Sequence, residues 1–329
     1  MFEQARLEDL TAFRFGHAQC AETATGCTVV VAPNGATCAV DVRGGGPATR
    51  ETDLLKPENM IEAVHAVVLS GGSAFGLEAS SGAMDALSSR DIGFPVETAR
   101  VPIVVGACLF DLLVGKPGHP DKAMGRKAVE AALQGEPFGE GNVGAGTGAT
   151  VGKLLGGDRA MKSGFGIAAV RFGEIIVAAI VAVNALGNIR ADDGTWLAGC
   201  RDKSGSIMDG GAAFELAAQR MAAQAASESA SASGPCTNTT IGAVITNARL
   251  SKAQATKVSS TCHDAYARAI KPVHTSNDGD TIFTFASGEA EANTDLVAIM
   301  GTEAMQQAIY RAVSQAESAY GLPALRDLA

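Results

Sequence analysis

The run IIVAAIVAV at residues 175–183 is the most apolar stretch of the chain and does most to narrow its fold. It is about half the length that a membrane-spanning helix requires. GFGIAAVRF (164–172) precedes it across Gly173. Two β-rich segments joined by so short a turn read as a pair of adjacent strands in a protein core.

The remaining pattern has the same character. TVVVAPNGATCAVDV (28–42) reads as a hairpin that turns at Asn34-Gly35, and 43–57 as a loop. AVVLS (66–70) reads as a buried strand and 74–90 as a helix with Phe75, Leu77, Ala83, Met84 and Leu87 inward. Further helices are predicted over 121–133, 210–226, 252–270 and 293–319, with strands over 239–247 and 281–286. Strands arrive in adjacent pairs and helices in groups, which is not a regular βαβ alternation. An α+β fold of layered, mainly antiparallel sheets is expected. With 329 residues, 47% of them hydrophobic, the chain has material for an ample core.

Charge and motif spacing exclude several functions. The net charge of −9, without a basic run, argues against nucleic acid as a partner. Seven cysteines at 20, 27, 38, 108, 200, 236 and 262 have no CxxC spacing, and the five histidines no ligand spacing, so no metal site is expected. Helix and loop surface roles are the default for those histidines. The first residues lack the apolar core of a signal peptide, so no membrane attachment and a cytoplasmic location are expected. GAGTGATVGK fails as a phosphate loop, because Thr147 stands where the first Gly belongs and Leu154 replaces the metal-binding hydroxyl. A dinucleotide fingerprint fits only as Gly144, Gly146 and Ala149, with no apolar strand ahead of it, so no cofactor is expected. The run then reads as a tight loop that presents Lys153. GGSAFG (71–76) resembles a serine-hydrolase elbow, but Phe75 occupies the place of its last Gly; Ser73 reads as a helix N-cap. The backbone N–H groups of Gly71, Gly72 and Ser73 remain candidates for an oxyanion or substrate contact, as does Gly146. SNDGDT (276–281) is half a calcium loop, with His274 at the first ligand position and no closing Glu.

Two features point to chemistry. Asn184 ends the apolar strand, where an amide is costly unless hydrogen-bonded. The soft AAQAASESASAS (222–233) then runs through GPCTNTT into the strand IGAVIT. If the Asn238–Thr239 bond is cut, Thr239 carries a free amine beside its hydroxyl, a nucleophile with its own base. An α-amino group titrates near 7.7–8.0, and a nearby lysine lowers that further. Attack of the Thr239 hydroxyl on the Asn238 carbonyl would itself make the cut, and a flexible linker would let the new end leave.

Five ordered stretches carry a resemblance: VLSGGSAFGLEASSGAMDAL, GNVGAGTGATVGK, AAIVAVNALGNI, TNTTIGAVITNARLSKAQ and PVHTSNDGDTIF. Over about residues 24–320 the chain resembles the L-aminopeptidase/D-Ala-esterase-amidase family, which includes the β-aminopeptidases and the nylon-oligomer hydrolase. The resemblance implies an N-terminal-nucleophile-like hydrolase with a four-layer α/β/β/α sandwich. It implies a single catalytic domain, 1–329, that cleaves itself into 1–238 and 239–329. Aminoacyl amides or short peptides would be the substrates, and a homo-oligomer of processed pairs the assembly. By the same resemblance Thr239 is nucleophile and base, Lys153 lies beside its amine, and Asn184 stabilises the oxyanion. Asp278 and Asp280 match the acidic pair of the nylon-oligomer enzyme, where β-aminopeptidases carry Ser-x-Glu. The pair is expected to attract the free amino group of a substrate, and the rival use is to hold the Thr239 ammonium or Lys153. One departure weakens nylon-oligomer activity, since Phe110 stands where that enzyme has Tyr. The alternatives are ω-amino acid oligomer hydrolysis, acyl transfer of the ornithine acetyltransferase kind, and a non-catalytic assembly protein.

Overall fold

The apolar run 175–183 lies inside a ten-stranded sheet that doubles over on itself. The computed structural model describes residues 2–226 and 238–328. Its principal elements are β1 (Arg14–Cys20), β2 (Thr25–Val42), β3 (Val64–Ser70), α1 (Glu78–Ser88), β4 (Val104–Cys108), α2 (Lys122–Gln134), β5 (Phe165–Phe172), β6 (Ile175–Asn184), α3 (Gly210–Ala226), β7 (Thr239–Arg249), α4 (Lys252–Ala269), β8 (Thr281–Glu291) and α5 (Thr294–Ser314). The segment read as a linker over 222–233 begins as the last turn of α3, and from residue 227 it lies outside the described residues.

Strand β2 belongs to both leaves of the sheet. Residues 37–42 pair with β8, which continues through β7 and β6 to β5. Residues 25–31 pair with β1 on one side and β3 on the other, and β3 pairs with β4. All these ladders are antiparallel except β7 with β8 and β3 with β4.

The hairpin expected at Asn34-Gly35 does not form. The ladder with β3 passes from Val31↔Ala66 to Ala36↔Val64, five steps along β2 against two along β3. Gly35 sits at φ 75° within the extra residues. An Asn-Gly pair supplies left-handed backbone for a tight turn, and the same freedom serves a bulge that bends a strand from one leaf into the other.

Alternation of side chains builds three buried layers. Val30, Val67, Leu69 and Val105 from one leaf meet Ala178, Ile180, Ile241, Ala243, Phe283 and Phe285 from the other. On the outer face of β6 and β7, Val177, Val181 and Val244 pack against α4 and α5 through Val258, Tyr266, Met305 and Ile309. On the outer face of the second leaf, Val29, Val31 and Val68 pack against Ala79, Ala83 and Leu87 of α1 and Ala128 and Val129 of α2. The order helix, sheet, sheet, helix is the four-layer sandwich expected above.

The helices start where side chains satisfy their first N–H groups. Asp121 accepts from Met124 N, Asn293 from Asp295 N and Leu296 N, and Ser251 forms a reciprocal box with Gln254. Helix α2 stops at Gly135, which adopts φ 70°. Residues 73–77 form a 3-10 turn before α1, so Phe75 points outward and is 66% exposed rather than inward as predicted.

Candidate active site

At the end of the inter-leaf core, Asn184 of β6 stands opposite Thr239 of β7. Ala182 and Ile241, two residues inward on the same face, belong to that core. The two polar residues therefore finish an apolar row, and both are buried. Burying an amide without partners costs about 2–7 kcal/mol. Asn184 avoids that cost: its Oδ1 accepts from Thr150 N (3.1 Å), Thr150 Oγ1 (3.2 Å) and Lys153 Nζ (2.8 Å). Its Nδ2 donates to the Phe110 carbonyl at 2.8 Å.

Lys153 reaches this place because the Gly-rich run docks on the turn after β6. Gly152 N donates to Gly187 O and Lys153 N to Leu186 O. A Cβ on Gly152, which adopts φ 76°, would stand 2.0 Å from Cys200 N, so the approach requires glycine. The ammonium donates to both the carbonyl (2.9 Å) and the side chain of Asn184. Burial pushes its pKa down to about 7, against the opposing pull of Asp278, Asp111 and Asp280.

The turn before β8 closes the other side. Gly279 N donates to Thr239 Oγ1 at 3.1 Å, and a Cβ on Gly279 would lie 2.8 Å from that oxygen. The Thr239 hydroxyl also rests against the Asn238 carbonyl. Asp280 Oδ1 accepts from Thr240 N (2.7 Å), while its Oδ2 accepts from His274 N (3.1 Å) and pairs with His274 Nδ1 (2.8 Å). Asp278 Oδ2 accepts from Thr275 N and Oγ1. Burial, then the like charge of Asp280, raises the Asp278 pKa. These bonds tie the acidic pair to its own turn and to Thr240 of β7, and they do not decide between its two uses. The structure thus brings Lys153, Asn184, Thr239, Asp278 and Asp280 together around the bond between Asn238 and Thr239.

The Gly71–Ser73 candidates fall elsewhere. Gly71 N donates to Gly26 O, Gly72 N to Asp111 Oδ1 and Ser73 N to Leu109 O, so those three N–H groups already have acceptors. Ser73 does not cap: the cap position is Gly72, and Ser73 opens the turn at φ 53°. Gly146 N donates to Val143 O, and its carbonyl accepts from Lys162. The surface role assumed for the histidines also fails. His65 and His263 are buried, His17 stacks on Phe138 at 4.0 Å, and His274 holds Asp280; His119 alone stays on the surface.

A cavity of about 450 Å³ opens beside Lys153, lined by Phe110, Asp111, Leu113, Thr150, Asp158 and Tyr320 among others. Asp111 is its buried acid, accepting from Thr25 Oγ1 and Gly72 N at 2.7 Å each. Burial raises its pKa to about 6.

The profile of peptidase family S58 matches residues 6–324. The chain belongs to peptidase family S58. It is therefore a hydrolase of peptide or amide bonds. An uncharacterized aminopeptidase of Mycobacterium leprae is 37% identical over 327 residues, 91% of this chain and 85% of that one. A 6-aminohexanoate-oligomer endohydrolase of Paenarthrobacter ureafaciens is 32% identical over 291 residues, 87% of this chain and 76% of that one. Among solved structures, a β-aminopeptidase of Burkholderia sp. superposes with a TM-score of 0.69 at 18% identity, covering 99% of this chain and 92% of that one. The L-aminopeptidase D-Ala-esterase/amidase of Ochrobactrum anthropi, described as a variant of the Ntn hydrolase fold, gives 0.63 at 16% identity, covering 93% and 84%. These two likenesses establish the fold of this S58 chain.

Three residues of the site were not singled out from the sequence. Asp111 carried a signal, being an acid inside the apolar stretch ACLFDLL. Lys162 is buried with its ammonium on the carbonyls of Gly146, Ala149 and Ser163, which ties down the Gly-rich run; its neighbours in sequence give no hint of this. Gly279 was hidden inside the half calcium loop.

Proposed function

We propose that this S58 hydrolase is a self-processing aminopeptidase or amidase whose nucleophile is Thr239. The observation that carries the reading is the convergence on one peptide bond of a hydroxyl, a half-buried lysine and a buried amide. In the first step the Thr239 oxygen attacks the Asn238 carbonyl carbon. The C–N bond breaks, the nitrogen takes a proton, and an ester joins the two segments. Water then hydrolyses the ester, leaving Asn238 with a carboxylate and Thr239 with a free amine. In turnover that amine takes the hydroxyl proton as Oγ1 attacks a substrate amide, returns it to the leaving amine, and later activates the water that releases the acyl group. The Lys153 ammonium depresses the amine pKa by repulsion and stabilises developing negative charge. The test is the intact mass and N-terminal sequence of the purified protein: two chains, the smaller beginning at Thr239, are expected. One uncut chain after prolonged incubation at neutral pH would falsify self-processing.

The cavity beside Lys153 suits the acyl side of a small aminoacyl amide, and the relatives named as aminopeptidases and as a 6-aminohexanoate-oligomer endohydrolase both fit such a substrate. Phe110 lines it, and its contact with Asn184 is made by the backbone carbonyl, which the Tyr-to-Phe difference leaves intact. Asp111 gives a substrate ammonium a buried counter-charge. Asp111→Asn is expected to raise KM for aminoacyl p-nitroanilides about tenfold, the loss of one charge-assisted hydrogen bond, with little change for N-acetylated analogues. In the wild type, KM for the free amine should rise as pH falls below about 6, where Asp111 takes up its proton. Equal rates on free and N-acetylated substrates at neutral pH would remove the aminopeptidase reading and leave a general amidase.

A further inference from the structure

Strand β7 has a second polar face. Thr240 points away from Thr239, toward the helical layer, where Gly242 follows it; a Cβ on Gly242 would lie 2.9 Å from Tyr266 Oη. His263 and Tyr266 of α4 and His274 of the turn before β8 gather there. The His263 and His274 rings meet edge to face at 4.8 Å, with Tyr266 at 5.2 Å and 6.0 Å from them. All three, with Thr240, keep a buried polar atom without a hydrogen-bond partner: Thr240 Oγ1, Tyr266 Oη, His263 Nδ1 and His274 Nε2. Such buried polar groups call for a physical reason.

One of these side chains, His274, serves the carboxylate of Asp280. His274 grips one of its oxygens twice, through its backbone N–H and through Nδ1, and the other oxygen holds Thr240 N. His274 does this at φ 56°, a left-handed conformation that costs free energy for a residue other than glycine. The ring cannot swing away, because His263 stands against it and is itself tied to the Asp41 carbonyl at 3.1 Å. Without the grip, repulsion from Asp278 and attraction to Lys153 would let the Asp280 carboxylate rotate off Thr240.

We propose that His274 is a positioning residue of this hydrolase: acting through Asp280, with His263 behind it, it fixes the Thr240 amide and so aims the Thr239 hydroxyl. The proposal rests on the reading of Thr239 as nucleophile. Two substitutions test the grip. His274→Ala removes the Nδ1 donor, whereas His274→Asn keeps an N–H donor near the same place and tolerates left-handed backbone.

Three quantities are read on each protein: the rate of self-cleavage, kcat and KM on an aminoacyl p-nitroanilide, and amide hydrogen exchange at Thr240. His274→Ala is expected to lower kcat and self-cleavage about tenfold to a hundredfold, as when a group orienting a reactive one is lost. KM should hold steady while Thr240 exchanges faster. His274→Asn should restore most of both. An active wild type with unchanged kcat in His274→Ala overturns the proposal, as does an equal loss in both variants with Thr240 still protected. A wild type that neither cuts itself nor hydrolyses any amide overturns the Thr239 reading, and the proposal with it. Exchange at Thr240, which needs no activity, tells the two failures apart.

Discussion

Thr239→Ala is expected to remain one uncut chain and to lose turnover by about 10⁴-fold or more, the scale seen when a nucleophile acting with its base is removed. The size follows from the double use of this residue. Its hydroxyl is the only one against the Asn238 carbonyl among the described residues, and the amine released by cleavage is the proposed base. Thr240 is no substitute, because its hydroxyl lies on the opposite face of β7. Thr239→Ser retains the oxygen beside Gly279 N and should still cut itself and turn over. A mass spectrum and a p-nitroanilide assay on the two variants decide the matter. If Thr239→Ala hydrolyses substrate at a rate near that of wild type, the nucleophile lies elsewhere.

The fold and the site were legible in the sequence to different depths. Continuous apolar runs located β5, β6 and β7, because strands buried on both faces leave almost no polar residue to confuse the reading. The same local logic misread Asn34-Gly35, since a turn and a bulge demand the same left-handed backbone. Only the pairing of β2 with both β8 and β3 decides between them. At the site, Asn184 announced itself by polarity at the end of an apolar run. Lys153 and Thr239 stood beside recognisable backbone signals, a glycine run and a linker-to-strand junction. His274 and Lys162 gave no such signal. Their work depends on what packs against them from residues 263 and 280 in one case and from 146–149 in the other, and such contacts are invisible to spacing. The elbow candidates failed for the converse reason. Gly71, Gly72 and Ser73 lie in the right strand-to-helix context, but the Asp111 carboxylate and two backbone carbonyls already accept from their N–H groups.

Asn184→Ala is expected to lower kcat by about 10²–10³ with KM little changed, the effect of losing one oxyanion donor. The prediction has a rival that the geometry itself raises. The Asn184 oxygen gathers Thr150 and Lys153, so alanine would also leave the lysine ammonium with one partner fewer, and a fall in kcat alone would not say which loss mattered. Asn184→Asp separates the two. It retains an oxygen for Thr150 and Lys153 but replaces the Nδ2 donor, and it adds a negative charge that raises the Lys153 pKa from about 7. If Asn184 works as an oxyanion donor, the aspartate variant should be at least as slow as the alanine variant, since a carboxylate repels the forming negative charge. If it works as an anchor for Lys153, the aspartate variant should keep most of its kcat. Its alkaline limb, set by loss of the Lys153 proton near pH 7 in the wild type, should then move to higher pH. A pH–rate profile of the two variants therefore distinguishes a group that touches the reacting oxygen from one that holds the lysine in place.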